Sequence, residues 1–145
     1  NMVIDAFDAA NTKAALINHC KRNKQPIITI GSAGGKINPQ KIVHGDLSKT
    51  INDPLLSKVR NTLRRKHGFA RESKRTFSIE AIYSAEQTTY PTSDGGTCKS
   101  RPETYSVGGL DCNNGFGAAT MVTASFGLVA TSRAIDKILK KIKKD

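Results

Sequence analysis

Met2-Val3-Ile4-Asp5-Ala6-Phe7, closed by Asp8, and Ile27-Ile28-Thr29-Ile30, leading into Gly31-Ser32-Ala33-Gly34-Gly35, are the two runs that decide the fold. Both read as short buried strands bounded by turn residues. Between them Asn11 or Thr12 can cap a helix on which Leu16, Ile17 and Cys20 share one face, and Pro26 stops it. Strand, helix and strand within about thirty residues form a βαβ unit, whose strands must be parallel. The class is therefore α/β.

Further along, Ile42 to Leu47 is weakly strand-like, and Asp53-Pro54 supplies an N-cap followed by a proline at the first helical position. Behind it Leu55, Leu56, Val59 and Leu63 occupy an arc of roughly 100° at the α-helical period. Lys58, Arg60, Arg64 and Arg65 are read as falling on the opposite side. Phe77 to Tyr83 alternates as a further strand, whereas residues 86–114 lack periodicity and read as a long functional or mobile loop. From Cys112 to Ser132 no residue is charged, and Ile135, Ile138, Leu139 and Ile142 continue as a helical stripe among lysines. That stretch is rich in Gly, Ala, Thr and Ser, so a buried helix is expected rather than a membrane span.

With 145 residues, residues 1–145 are expected to form one domain with a real core. Cys20, Cys98 and Cys112 have no framework spacing, which fits a reducing, cytoplasmic setting. No secretory signal is legible. The excess of 23 Lys+Arg over 12 Asp+Glu implies an anionic partner, nucleic acid foremost. Eight of those cations lie between residues 58 and 75: Lys58, Arg60, Arg64, Arg65, Lys66, Arg71, Lys74 and Arg75. With few aromatics near them, they should position a phosphate backbone rather than read bases. The alternative is a solvated helix face.

The remaining motifs are open when taken alone. Gly31 to Gly35 matches neither the dinucleotide fingerprint nor the P-loop, so a tight turn is the default. His19, His44 and His67 are scattered without metal spacing, and Cys20 suits a core position. Cys112 sits at the apparent start of the long helix, where a thiolate is stabilised, although Asp111 opposes that and inert packing competes. Asp8 follows the first strand, where open α/β sheets bind ligands, but it can equally cap a turn.

Val3 to Asp8 leading into Lys13-Ala14-Ala15-Leu16, then Pro26 to Gly35, Tyr90-Pro91-Thr92-Ser93-Asp94-Gly95, and Asp111-Cys112 with Gly115 to Ala124 form an ensemble. In order and spacing it resembles the C-terminal half of the tRNA threonylcarbamoyladenosine dehydratase family, in the HesA/MoeB/ThiF superfamily of adenylating enzymes. The resemblance implies the C-terminal half of a Rossmann-like adenylating fold: a mixed sheet, flanking helices and one long C-terminal helix. It implies ATP and Mg2+ as cofactors. The expected reaction is adenylation of the threonylcarbamoyl carboxylate on an adenosine next to the anticodon, followed by ring closure with loss of AMP. The alternative is adenylation of the C-terminal glycine of a ubiquitin-like sulfur carrier. Those members usually carry two CxxC zinc pairs, and none occurs here.

Carried over by position, Asp8 matches the family aspartate near the ATP phosphates and magnesium, with Ala9 where an asparagine often follows. Lys13 matches a basic cofactor-side position, and Cys112 the proposed reactive thiol. Residues 86–114 match a mobile crossover loop over the active site, and the basic stretch matches a tRNA surface. A homodimer is expected, with a sulfur-relay protein of a cysteine desulfurase system as a further partner; no DNA and no membrane association are expected. The family's glycine-rich ATP loop is not found in the chain, and Asn1 opens straight onto a strand. The expectation is thus a C-terminal part that is inactive alone.

Overall fold

The computed structural model describes residues 1–72, 74–92, 94–100 and 117–143. A four-stranded sheet carries the fold, in the order β1 (Val3–Asp5), β2 (Ile27–Ile30), β4 (Glu80–Ser84) and β3 (Ile42–Asp46). The first three run parallel and β3 is antiparallel to β4. Helices α1 (Ala10–Arg22) and α2 (Pro54–Lys66) cover one face, and α3 (Thr120–Ile142) covers the other. The expected mixed sheet with flanking helices and a long C-terminal helix is what forms.

Burial explains the layering. All four residues of β2 are buried, as a parallel strand between helical layers requires. Ile27 packs with Ala14, Ile17, Cys20, Leu56, Val59 and Leu63 of α1 and α2. Ile28 and Ile30 pack with Val122, Phe126, Ala130 and Ala134 of α3. Each such aliphatic side chain contributes about 1.5–3 kcal/mol by leaving water. Asp53 caps α2 as expected, its Oδ1 accepting from the Leu56 amide at 2.8 Å.

Several boundaries differ from the sequence reading. Helix α1 starts at Ala10, before both candidate caps, and Ala9 at its N-cap position offers no side-chain cap. β4 begins at Glu80 rather than Phe77, because Ser78 takes a left-handed backbone at φ 56° and breaks the extended run. Phe77 and Ile79 stay buried at its entrance. Part of the supposed loop after Glu86 is a hairpin: β5 (Tyr90–Pro91) pairs antiparallel with β6 (Thr97–Cys98) around a turn in which Gly95 has φ +83°. Ile4 on the edge strand β1 is 43% exposed rather than buried. The stripe Ile135, Ile138, Leu139 and Ile142 faces solvent as well, together with Met121 and Leu128. Glu80 instead anchors that end of α3, its two oxygens each 2.6 Å from a cation, Arg133 on one and Lys137 on the other. Among the described residues no helix is long and apolar enough to cross a membrane.

Candidate active site at the carboxyl ends of the parallel strands

Three loops meet at the carboxyl edge of the sheet: Ala6–Ala9 after β1, Gly31–Lys36 after β2 and Ala85–Thr89 after β4. This is where open α/β sheets bind ligands. The start of α3 is tied to the same edge, since the Gly35 amide donates to the Gly117 carbonyl at 3.0 Å and Gly34 pairs with Ala118.

Asp8 lies exposed in the first loop, and within the described residues its carboxylate makes no hydrogen bond or ion pair. Beside it the first turn of α1 carries amide groups that no side chain caps. A free carboxylate next to a helix start can hold a hard cation while the amides face an anion, which is the chemistry a metal–phosphate group needs. No group of three or more metal-ligating side chains occurs among the described residues, so any cation here would rely on Asp8 and on the phosphates it accompanies.

Lys13 is placed differently from Asp8. Its side chain is fully buried, and Nζ donates to Asp5 Oδ1 at 2.7 Å and lies 5.2 Å from the centre of the Phe7 ring. The other carboxylate oxygen, Oδ2, accepts from Thr29 Oγ1 at 2.8 Å. Burial holds the Lys13 ammonium below the usual lysine range, partly offset by its hydrogen bond to Asp5. Lys13 thus clamps the turn carrying Asp8 onto β1 and β2, and its ammonium also feels the carboxylates of Asp8 and Asp53.

The turn after β2 depends on a close approach. A Cβ on Gly31 would sit 2.0 Å from Asp53 Oδ2, which accepts the Ser32 amide at 2.9 Å. Lys36 is also buried, donating to the carbonyls of Asn52 at 2.7 Å and of Glu86, so it pins the β2, α2 and β4 loops to one another. Nothing in the residue pattern distinguished Lys36 from a surface lysine.

The basic stretch divides into parts. Lys58 and Arg65 line a cleft of about 560 Å³ shared with Ala9, Ala10 and Asn11, next to Asp8. Lys74 and Arg75 line a second cleft, of about 660 Å³, with Lys21, Arg22 and His67, where both α1 and α2 end. That is the opposite end of the sheet. Lys66 and Arg71 are exposed nearby. Arg60 and Arg64, by contrast, are half-buried and used internally: Arg60 donates to Thr50 Oγ1, and Arg64 sits 5.4 Å from the Phe77 ring centre and donates to the Ala70 carbonyl. The sequence missed Lys21 and Arg22, because they belong to another helix and only the fold brings them to Lys74 and Arg75.

Cys112 lies outside the described residues. Helix α3, which the sequence reading starts near Cys112, begins at Thr120. Cys20 is buried in the core, and burial raises its thiol above the ordinary value.

No family model matches the chain. Known proteins do. The chain is 52% identical over 139 residues to the tRNA threonylcarbamoyladenosine dehydratase of Haemophilus influenzae, covering 96% of this chain and 51% of the relative. The Escherichia coli dehydratase is 47% identical, with 96% and 52% covered. Among solved structures, TcdA (CsdL) superposes with a TM-score of 0.85 at 44% identity, covering 99% of this chain and 52% of that one. The E. coli dehydratase crystallised with AMP gives 0.80 at 42% identity, with 99% and 50% covered. The chain spans about half the length of the curated relatives it matches. By sequence and by fold, it belongs to the tRNA threonylcarbamoyladenosine dehydratase family and corresponds to the C-terminal half of its members.

Proposed function

We propose that this chain works as the C-terminal half of an ATP-dependent enzyme that cyclises the threonylcarbamoyl group of tRNA with net loss of water. The observation that carries this reading is 52% identity to a dehydratase along nearly the whole chain, in a fold shared with a dehydratase bound to AMP. The glycine-rich ATP loop is then supplied by polypeptide outside this sequence, alongside the exposed edge of β1. When bound, ATP supplies AMP as leaving group for a carboxylate that is a poor electrophile on its own, and magnesium offsets the phosphate charge.

In this proposal Asp8 holds the magnesium from the edge of β1, and Lys13 acts indirectly by fixing the turn that carries it. Lys58 and Arg65 flank the same opening and position the RNA backbone near the reacting centre. Lys74 and Arg75, joined by Lys21 and Arg22, hold the RNA at the far end of the sheet. Cys112 is proposed as a reactive thiol on the strength of family position alone. The outward apolar stripe of α3 supports a homodimer, since an exposed face of that kind marks an association surface. A cysteine-desulfurase relay protein remains the proposed further partner.

The test is direct. The protein containing this chain, incubated with ATP, magnesium and tRNA bearing threonylcarbamoyladenosine, should yield a nucleoside lighter by one water on mass spectrometry. Unchanged nucleoside mass, with ATP consumed only when a ubiquitin-like sulfur carrier is added, would overturn the proposal.

A further inference from the structure

A cleft of about 340 Å³ opens at the same edge of the sheet, between the start of α2 and the segment that follows β4. Arg60 and Ser57 line one side, and Thr88, Gln87 and Lys99 line the other. Its electrostatics are lopsided. Arg60 donates to Thr50, and Lys99 Nζ donates to Thr89 Oγ1 at 2.6 Å; neither pairs with a carboxylate among the described residues. The acid in the wall, Asp53, is 4% exposed, and its two oxygens are already taken by the amides of Leu56 and Ser32. Glu86 behind the cleft uses one oxygen to accept the amides of Ile37 and Asn38 at 3.0 Å each. Lys36 adds a third, buried cation against the carbonyls of Asn52 and Glu86. Asp53 and Glu86 offset part of the charge on Arg60 and Lys36 without forming an ion pair with either, and Lys99 pairs with no carboxylate among the described residues, so the cleft keeps an excess of positive charge.

We infer that this cleft, distinct from the opening at Asp8, is an oxyanion site, and that it receives the carboxylate-bearing threonyl end of the substrate nucleoside. A guanidinium can grip a carboxylate through two parallel hydrogen bonds, and the ammonium of Lys99 faces it from the other wall. Ser57 and Thr88 line the same space with hydroxyls suited to the substrate's own hydroxyl. The assignment rests on the dehydratase reading, and it adds which part of the substrate is held and by what. It also divides labour along the sheet edge: nucleotide and cation over β1, and the group to be activated over β2 and β4. Inorganic phosphate offers the same oxyanion chemistry, so the test must separate the two.

The protein containing this chain, labelled with nitrogen-15, is titrated with N-carbamoyl-L-threonine, with its carboxamide analogue and with inorganic phosphate while amide spectra are recorded. The carboxylate should shift the amides of Ser57 and Thr88, and the carboxamide should bind at least tenfold more weakly. Lys99→Gln, at an exposed position that leaves the core untouched, should weaken the carboxylate at least tenfold. Arg60→Gln should do the same, with an unchanged spectrum elsewhere confirming that loss of the Thr50 contact did not disturb the fold. Shifts confined to the Ala6–Ala9 loop, equal binding by Lys99→Gln, or a response to phosphate alone would overturn the assignment. Tests of the two ideas separate cleanly. A protein that dehydrates its tRNA yet shows no response at Ser57 and Thr88 loses only the cleft, whereas specific binding without dehydration removes only the enzymatic reading.

Discussion

Replacing Lys13 by methionine keeps most of the side chain's length and removes the charge that Asp5 faces. Asp5 is 1% exposed, and its remaining partner is the Thr29 hydroxyl at 2.8 Å. A buried carboxylate deprived of its cation costs about 3–5 kcal/mol, because the desolvation already incurred is no longer offset. For a chain of about 150 residues that corresponds to roughly 6–20 °C in Tm. Urea unfolding followed by far-UV circular dichroism should show the loss as a lower midpoint with an unchanged slope. Removing both charges, with Asp5→Leu added to Lys13→Met, should recover most of it, since an apolar pair of similar volume is often as stable as the ion pair it replaces. A loss below about 1 kcal/mol in Lys13→Met would refute the clamp, because that is the scale of an exposed ion pair. A stable Lys13→Met protein with sharply weakened ATP binding would show instead that the ammonium serves the ligand directly.

Further expectations follow from the same structure. Gly31→Ala places a methyl group 2.0 Å from Asp53 Oδ2, so the Ser32 bond must break at a cost of about 1–3 kcal/mol, read by the same unfolding measurement. Asp53→Ala should lose about 0.5–2 kcal/mol for the α2 cap and further stability for the Ser32 contact. Burial pushes the Glu80 carboxyl up, but hydrogen bonds from Arg133 and Lys137 outweigh it and leave it below its ordinary value of 4.5. Its contribution is therefore complete above the ordinary carboxylate range and is lost as pH falls through the depressed value; Glu80→Gln should flatten that acid limb in a series of thermal melts. In RNA binding, Lys74→Gln and Arg75→Gln should each lower the slope of log affinity against log salt by roughly 0.7–0.9, one phosphate contact apiece. Arg64→Gln should leave that slope alone, because its guanidinium is held over Phe77.

The fold was legible where one period dominated. The βαβ unit of residues 2–30, the Asp53-Pro54 helix start and the four-residue arc behind it all announce themselves locally; each forms, although α1 starts before its expected caps and Ile4 of β1 is exposed. What was not legible depends on residues far apart in the chain. Lys13 is an ordinary helical lysine until Asp5 and Thr29, on neighbouring strands, close around its ammonium. Ser78 shortens β4 through a backbone conformation that its type does not favour. The stripe on the end of α3 has the spacing of a core face, yet the sheet is too narrow to cover it, and Glu80 secures that end with charge instead. The basic stretch shows the same limit for function. Of the eight cations, Lys58 and Arg65 line one cleft and Lys74 and Arg75 another at the opposite end of the sheet, while Arg60 lines a third and Arg64 is held over Phe77. Asp8 follows the first strand as read, but that its carboxylate makes no hydrogen bond or ion pair among the described residues emerges only once the neighbouring side chains are in position.

The most direct measurement is the mass of the adenosine next to the anticodon after tRNA carrying threonylcarbamoyl has been incubated with ATP, magnesium and the protein containing this chain. A product lighter by one water, formed with wild-type protein and abolished by Asp8→Asn, is the expected result. An unchanged mass, or full conversion by Asp8→Asn, would contradict the proposed role of this half of the fold.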